Sequence, residues 1–464
     1  MKRIGAWIPP GLVAAAAEAA VVTRPDQAAQ VAAGLTAHNL CSAVFVAGLD
    51  PDATYRELVA PMIGQPLDRL IAYRLDRAGG GVEAAFAGIF HARADFTPGY
   101  GCRLRYPENL PAPAARAAWP APVADGFASP RPVVAADPAI AAAMERVFAE
   151  RPGAPIKHVK AVVVVKDGRV IAERYAPGFG VDTPLLSYSV AKSFTNALLG
   201  VLVRQGRLRV EQPVGAPEWA DAGDPRAAIT LEDLLRMRSG LDVPEADSGF
   251  SPVARMEYAR ADMAGFAARH RLKQPIGSGF EYTSANTLIL DRRLGAVVGG
   301  GEAGMRDFAH RELFAPLRMS GVTLEFDGRG VFVGSSYVYA PARAYARLGA
   351  LYLNDGAAPG GRRLLPDGWV AWSRRSTLGS PYGAGFWTND GPSREAAWRI
   401  ARGFPRDGFY ASCDLGQRIY IVPYARLIVA RFGYSRPPDF GIEDDLALID
   451  AAIRATRGER APTR

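Results

Sequence analysis

Residues 187–206 of the 464-residue chain read SYSVAKSFTNALLGVLVRQG. Apolar residues recur at helical spacing from Val190 onward, and Gly206 is a typical stop signal, so the stretch predicts an amphipathic helix over residues 190–204. Side chains three residues apart share one face of a helix, so we expect the Ser189 hydroxyl and the Lys192 amine to lie within hydrogen-bonding distance. The start of this helix therefore carries a nucleophile beside a possible base.

The chemistry of this pair depends on the lysine. A serine hydroxyl is a weak nucleophile at neutral pH and needs a positioned base or a nearby ammonium. A desolvated lysine can release its proton whereas an arginine cannot, and Lys192 is one of only six lysines in a chain rich in arginine. Taken alone, a Ser-x-x-Lys pattern equally fits an N-cap serine followed by a solvated lysine. Other motifs must decide between the two interpretations.

Composition indicates an ordinary globular protein of about two or three domains, with 49% hydrophobic and 22% charged residues. The net charge is +8, but no basic run is interleaved with aromatic residues, so we expect no nucleic-acid partner. The charge predicts only a mild attraction to anionic surfaces or substrates.

The cysteines and histidines do not predict a metal site. Cys41, Cys102 and Cys413 lack metal-ligand spacing, and the five histidines include no His-Glu-x-x-His motif or close pair. We therefore expect no metal and no cofactor. A disulfide between Cys41 and Cys102 is possible if the protein is exported, and the sequence leaves the redox state of this pair open.

The chain divides by composition into five segments. Residues 1–25 begin with a basic pair followed by an apolar stretch, although Pro9-Pro10 and Glu18 interrupt this stretch. The pattern predicts a signal peptide or membrane anchor. We therefore expect a periplasmic or membrane-anchored location, and a cytoplasmic location stays open. Residues 26–106 predict a small α/β module, called here the N-terminal module. A Pro/Ala-rich linker at 107–135, a main domain at 136–457 and a tail at 458–464 follow.

Within the N-terminal module the pattern predicts a helix at 27–39, a strand at 43–46 and a hairpin of strands 70–76 and 82–91. In the main domain, β-branched runs at 159–166 and 170–175 flank Asp167-Gly168, a dipeptide suited to a type I′ turn. Strands at 418–422 and 427–432 and an amphipathic helix at 443–455 end the domain. Strands at both ends with helices between them predict an α/β (α+β) fold, in which early and late strands form one sheet and a mostly helical subdomain is inserted.

A second motif is FEYTSAN at residues 280–286, after a loop containing Pro and Gly and before a predicted helix at 287–294. Tyr282 in such a loop could project into a cleft, where a nearby lysine ammonium would favour its phenolate. It is then a candidate base for Ser189 and a later acid for the leaving group. The alternative is that Tyr282, one of 17 tyrosines, only packs.

Together these motifs resemble the penicillin-recognising serine hydrolases, a family that includes class C β-lactamases, D-alanyl-D-alanine carboxypeptidases, related esterases and, most similar, 6-aminohexanoate-dimer hydrolases. Those proteins carry Ser-x-x-Lys, then Tyr-x-Asn or Tyr-x-Ser, then a Lys/His-x-Gly strand in this order. The resemblance covers residues 155–457 and extends to segments such as ITLEDLLRMRSGL (229–241), GSSYVYAPARAYARLG (334–349), YGAGFWTN (382–389) and GQRIYIVP (416–423). It implies a β-lactamase/DD-peptidase-like fold, an antiparallel sheet flanked by helices.

The resemblance also implies roles for individual residues. Ser189 would be the acylated nucleophile, Lys192 its activating partner and Tyr282 the acid/base. Ser284 would bind the substrate or the Lys192 ammonium. The oxyanion hole would consist of the backbone N–H groups of Ser189 and Gln417.

The third motif departs from the family pattern. Asp414-Leu415-Gly416 stands where relatives have Lys or His two residues before the glycine. A carboxylate at Asp414 would repel an anionic substrate, which disfavours true β-lactamase activity and leaves two readings: specificity for neutral or cationic substrates, or weakened catalysis. Asp414, Gly416 and Tyr337 are candidate substrate-binding residues, with Tyr337 equally placed to be a core residue.

The sequence thus predicts a serine hydrolase that cleaves a small amide or ester through an acyl-enzyme. The alternatives are a binding or receptor protein of the same fold with slow or absent turnover, and a structural protein with a dead site. A small-molecule substrate is the expected partner.

Overall fold

The computed structural model describes residues 24–457 apart from Ala118, residues 120–124, Ala128, Asp247, Asp414 and Asp439. Residues 1–23 of the predicted leader or anchor and the predicted tail at 458–464 lie outside the described part. Among the described residues, no helix combines the length and the apolar character that a membrane crossing requires.

The helices and strands follow one another as expected for a mixed α/β chain. The α-helices are α1 (Pro25–Phe45), α2 (Pro51–Thr54), α3 (Ala60–Ile63), α4 (Pro138–Phe148), α5 (Ala191–Arg204), α6 (Leu231–Leu235), α7 (Pro252–Ala259), α8 (Met263–Ala268), α9 (Ser284–Val298), α10 (Gly301–Ala309), α11 (Ala342–Leu353), α12 (Trp369–Arg374), α13 (Arg394–Ile400) and α14 (Ile442–Arg457). The strands are β1 (Ile71–Asp76), β2 (Gly81–Phe86), β3 (Phe90–Thr97), β4 (Gly101–Leu104), β5 (Val159–Lys166), β6 (Arg169–Tyr175), β7 (Leu185–Leu186), β8 (Thr323–Leu324), β9 (Val338–Ala340), β10 (Trp387–Thr388), β11 (Phe409–Ser412), β12 (Arg418–Val422) and β13 (Leu427–Gly433).

The N-terminal module is an antiparallel sheet of order β1-β2-β3-β4 that packs against α1. The predicted strand at 43–46 is wrong. Helix α1 continues through Phe45, because no Gly or Pro lies between Gly34 and Gly48 and because Leu40, Cys41 and Ala43 are buried along it. The predicted strand at 82–91 is also too long. The strand ends at Phe86. A turn at Ala87 and Gly88, which both have positive φ, then leads into the separate strand β3.

The main sheet joins early and late parts of the chain in the antiparallel order β10-β11-β12-β13-β5-β6, which confirms the predicted fold class. Asp167 and Gly168 between β5 and β6 have φ of 48° and 76°, as a type I′ turn requires. The small sheet of order β7-β9-β8 lies next to the start of α5.

The main sheet is buried on both faces. Alternate residues of β5 face opposite layers: Val163 and Val165 pack in the larger core with α5, whereas Val162 and Val164 pack in a second core with α4 and α14. This explains why β5 is a continuous apolar run rather than an alternating one. The segment between β6 and β10 holds α5–α12, so the helical insertion predicted from the sequence lies on the α5 side of the sheet.

Candidate active site

The predicted nucleophile lies in a single 3₁₀ turn, Tyr188–Val190, that leads directly into α5. Tyr188 adopts a left-handed conformation with φ of 41°, which is uncommon for a residue with a Cβ. Tyr188 and Val190 are buried, whereas Ser189 is partly exposed. The turn therefore presents one hydroxyl at the surface of an otherwise buried segment.

Lys192 lies one turn further on and is 1% exposed. Its Nζ lies 2.9 Å from Ser189 Oγ, 2.9 Å from Ser284 Oγ and 3.1 Å from the Ser335 carbonyl oxygen. An ammonium has three N–H donors and no acceptor, so these three oxygens satisfy it completely. The structure thus brings together the first predicted pair and adds Ser284 and Ser335 as its partners.

Tyr282 lies beside this amine, immediately before α9. The Lys192 Nζ is 4.9 Å from the centre of the Tyr282 ring, within the range of an attractive cation–π contact. The ring also stacks on Trp387 at a centroid distance of 5.6 Å and meets Tyr382 edge-on at 5.5 Å. The third predicted catalytic side chain is therefore held at the site by an aromatic wall.

Two carboxylates that the sequence analysis did not single out lie close to this group. The partly exposed Glu245 accepts a hydrogen bond from the backbone N–H of Ser284. Glu257 on α7 accepts from the hydroxyls of Ser336, at 2.6 Å, and Ser335, at 3.2 Å. Nothing in the sequence marks them, because an acid in a loop and an acid on a short helix are both common at protein surfaces.

Burial raises the pKa of the Glu257 carboxyl to about 7, and the charge of Glu245 acts in the same direction. The Ser336 hydroxyl and the Lys192 charge oppose this rise in pKa. Burial also raises the pKa of Asp291 on α9, which accepts from the Thr195 hydroxyl on α5 at 2.7 Å. The Lys192 amine thus lies near two buried carboxyl groups whose anionic forms are poorly solvated.

Tyr337, a candidate substrate-binding residue, has a buried side chain. It is 2% exposed, and its ring stacks on His38 of α1 with centroids 4.1 Å apart. Tyr337 is therefore a core residue. Ser335, two residues earlier, contacts the site instead, because its carbonyl oxygen accepts a hydrogen bond from Lys192 Nζ. Its burial and its contact with His38 favour the core interpretation of Tyr337 over contact with a substrate.

The third motif lies at the entry to β12. The preceding strand β11 packs against the Tyr188–Val190 turn, and Gln417 is 1% exposed. The Cys413 N–H donates to the Gln417 carbonyl, and the Cys413 Sγ lies 2.9 Å from the Gln417 Oε1. Asp414 lies outside the described residues, so both readings of its effect on substrates stay predictions.

Gly416 has φ of 85°, and its carbonyl oxygen accepts a hydrogen bond from a buried arginine. Arg431 on β13 is 0% exposed, and its Nη1 donates to the Gly416 carbonyl oxygen at 2.7 Å. Asp445 accompanies Arg431, and also accepts a hydrogen bond from Arg418 at 2.8 Å. The peptide that joins Gly416 to Gln417 is thereby fixed in orientation.

The described residues contain no group of three or more His, Cys, Asp or Glu side chains placed to hold a metal ion. Cys41 and Cys102, whose pairing the sequence left open, form a disulfide that joins α1 to β4.

The fold and this group of side chains define a class of protein. Residues 141–452 match the family model described as Beta-lactamase, and the chain therefore belongs to the β-lactamase family.

Individual relatives agree with this assignment. The chain is 30% identical over 227 residues to the 6-aminohexanoate-dimer hydrolase of Paenarthrobacter ureafaciens, a match that covers 45% of this chain and 55% of the relative. The chain thus aligns with about half the length of the curated relative that it matches.

Two solved structures share the fold. One is assigned as a 6-aminohexanoate-dimer hydrolase from Bacillus anthracis, with TM-score 0.54, 20% identity and coverage of 66% of this chain and 81% of that chain. The other is a class C β-lactamase from Rhodobacter sphaeroides, with TM-score 0.50, 19% identity and coverage of 69% of this chain and 100% of that chain. In both comparisons the matched part is about two thirds of this chain.

Proposed function

We propose that the protein is a serine hydrolase that cleaves a small amide or ester through a covalent acyl-enzyme on Ser189. The observation that carries the proposal is the buried Lys192 amine, 2.9 Å from both the Ser189 and the Ser284 hydroxyl oxygens. Burial of a lysine costs desolvation free energy that a surface lysine would avoid. A buried lysine whose hydrogen-bond partner is a partly exposed serine hydroxyl therefore has little structural purpose.

The three acceptors around Lys192 Nζ suit an ammonium. Lys192 therefore donates to Ser189 Oγ, and the hydroxyl proton of Ser189 points to a different acceptor. The phenolate of Tyr282, favoured by the ammonium beside its ring, is the proposed acceptor. Ser189 Oγ then bonds to the carbonyl carbon, and Tyr282 returns the proton to the leaving nitrogen or oxygen as its bond to carbon breaks. Water then bonds to the acyl carbon as Tyr282 takes one of its protons, and the bond between this carbon and Ser189 Oγ breaks. Tyr282 returns the proton to Ser189 Oγ, and the acid is released.

The proposed oxyanion hole consists of the N–H groups of Ser189 and Gln417. Packing of β11 against the nucleophile turn supports their proximity, and the Arg431 bond to the Gly416 carbonyl supports a fixed direction for the Gln417 N–H. Backbone donors of this kind contribute roughly 3 to 4 kcal/mol each to transition-state stabilisation in other hydrolases.

We propose neutral or cationic substrates with an apolar acyl part. Glu245 places a partly exposed carboxylate beside Ser284, which disfavours an anionic substrate at that position. The partly exposed rings of Tyr282 and Trp387, packed against the buried Tyr382, offer an aromatic surface suited to apolar groups. The relative from Paenarthrobacter ureafaciens is named as the hydrolase of an amide dimer, which supports including linear amides among the candidates.

The test is steady-state turnover of p-nitrophenyl acetate, neutral linear and cyclic amides, amino amides and D-peptides with a free carboxylate. We expect turnover of the short ester and of at least one neutral or cationic amide, and no activity on the D-peptides. Ser189→Ala should abolish turnover, whereas the matched variant Ser193→Ala, which removes a buried hydroxyl bonded to the Gly385 carbonyl, should retain it. Absence of turnover with every substrate, or activity in Ser189→Ala, would contradict the proposal.

We also propose that the protein is exported. The Cys41–Cys102 disulfide supports this location, since such bonds persist in oxidising compartments. Fractionation of cells that express the full chain, followed by thiol alkylation, tests it: a cytosolic product with three free thiols would contradict export.

A further inference from the structure

The residue before the nucleophile is held from two sides. On one side, Ser187 pairs with β9: its N–H donates to the Val338 carbonyl at 2.9 Å, and its hydroxyl donates to the Ser336 carbonyl at 2.9 Å and accepts from the Val338 N–H at 3.0 Å. This side belongs to the main domain. It fixes the backbone that enters the turn but not the side chain of Tyr188.

The other side belongs to the N-terminal module. The Tyr188 hydroxyl donates to Asn39 Oδ1 at 3.2 Å, and Asn39 is 1% exposed in the middle of α1. The Asn39 Nδ2 donates to the Leu35 carbonyl at 3.0 Å, so the amide oxygen is turned toward Tyr188. The Tyr258 hydroxyl joins the same hydrogen-bonded group, in contact with Asn39 and Tyr188.

Two attachments keep α1 in this position. Glu325 of the main domain is fully buried and accepts from the Ser42 hydroxyl on α1 and from the Cys102 N–H on β4, each at 2.7 Å. The Cys41–Cys102 disulfide joins the same two elements. Asn39 lies two residues before Cys41 on α1. The disulfide therefore fixes the helix close to the position from which the Asn39 amide reaches Tyr188.

Tyr188 needs such support because its backbone is in the left-handed region, with φ of 41°. For a tyrosine this conformation costs free energy and persists only where the surroundings impose it. Relaxation of Tyr188 would rotate the peptide that follows, which carries the Ser189 N–H and sets the direction of the Ser189 side chain. A displacement of about 1 Å at a reacting group can cost ~100-fold in rate.

We infer that the N-terminal module is part of the catalytic apparatus, with Asn39 as a positioning residue that holds Tyr188 and thereby aims Ser189. The inference rests on the proposed function of Ser189. It gives a catalytic purpose to a segment that lies outside the family match at residues 141–452.

The test compares Asn39→Ala with Thr36→Ala, which removes a buried hydroxyl of the same helix that donates to the Ala32 carbonyl and leaves the Asn39–Tyr188 hydrogen bond in place. The readouts are the second-order rate of Ser189 labelling by a fluorophosphonate, the kcat and KM for a short ester, and the thermal midpoint. We expect Asn39→Ala to slow labelling and lower kcat by ~10-fold or more with little change in KM. We expect Thr36→Ala to label within about twofold of the wild type despite a similar loss of midpoint.

Tyr188→Phe provides a second route that keeps the packing and removes only the hydroxyl. We expect it to reproduce the Asn39→Ala rate, and the double variant to be no slower than either single variant, because both remove the same bond. Equal labelling rates in Asn39→Ala and Thr36→Ala, or a wild-type rate in Tyr188→Phe, would overturn the inference. Wild-type protein that is not labelled at all would instead reject the proposed function, so the two failures are distinguishable.

Discussion

Arg431 donates from Nη1 to the carbonyl oxygen of Gly416 at 2.7 Å, and the peptide group that contains this carbonyl also contains the Gln417 N–H. Because the C=O and N–H of a trans peptide point in opposite directions, a guanidinium fixed on the carbonyl side determines where the N–H points. The bond also polarises the peptide, which strengthens the N–H as a donor. The proposed oxyanion hole is thereby supported from the far side of the sheet.

Gly416→Ala is predicted to lower kcat for ester hydrolysis by roughly 10- to 100-fold, since the oxyanion donor shifts. A Cβ at this position would clash with Arg431 Nη1, and the backbone φ of 85° already disfavours alanine. Gly178→Ala is the control, because Gly178 has φ of 83° and a Cβ there meets no heavy atom within 4 Å. Equal kinetics in the two variants, measured with thermal midpoints, would refute the role of the Gly416 peptide.

Lys192→Arg is predicted to lower kcat/KM by on the order of 10³-fold, because a larger, permanently charged planar group cannot reproduce the three contacts of Nζ in a buried site. The control is Lys273→Arg, at a partly exposed lysine paired with Glu281, the residue before Tyr282. It should retain activity within about twofold. Substantial turnover by Lys192→Arg would mean that Lys192 is only a structural cation.

Glu257 is predicted to make stability depend on pH between about 4.5 and 7. Burial raises the pKa of this carboxyl from 4.5 to about 7, so the folded protein keeps a proton that the unfolded chain releases. The contribution of this one group to stability is therefore greatest below pH 4.5 and falls as pH rises to 7, by on the order of 3 kcal/mol. Urea unfolding of Glu257→Gln should show a flatter dependence on pH than the wild type over this interval.

Asp327→Asn serves as the control for that experiment. Burial also raises the pKa of Asp327 to about 7, but its carboxylate accepts backbone N–H bonds from Met263, Arg329 and Val331 rather than bonds near Lys192. It should flatten the stability profile without moving the pH profile of kcat, whereas Glu257→Gln should move both. An unchanged stability profile in Glu257→Gln would contradict the assigned protonation.

Removal of the Cys41–Cys102 disulfide is predicted to lower the free energy of unfolding by about 4 kcal/mol in the loop-closure description, since the cross-link closes a loop of 61 residues. Urea titration of the Cys41→Ala/Cys102→Ala variant should show the shift, and a reductant should move the wild type to the same midpoint. Identical midpoints for variant and wild type without reductant would refute it.

Local patterns in the sequence predicted much of the main domain. The Asp167-Gly168 turn forms as expected, and the Thr230 and Asp233 side chains form a capping box at the start of α6, which is a local pattern of the same kind. The Ser189–Lys192 contact follows from the spacing of one helical turn. These features depend on neighbours in the chain, so the sequence contains the information they need.

Features that depend on distant partners were missed. Asn39 and Tyr188 are 149 residues apart in the sequence, and no local pattern relates them. In the sequence alone, Glu245 and Glu257 resemble ordinary solvated acids. Only the fold places them beside Ser284 and Ser336. Likewise, Tyr337 follows two serines that reach the site, but the direction of its side chain is set by packing against His38.

The most direct measurement of the central claim is intact mass after incubation with a fluorophosphonate, with peptide mapping of the modified residue. The account predicts one adduct per chain on Ser189 in the wild type, none in Ser189→Ala, and a transient acyl adduct when a slowly hydrolysed ester replaces the probe. No adduct, an adduct on another residue, or a permanent acyl adduct without turnover would contradict a hydrolase that acts through Ser189.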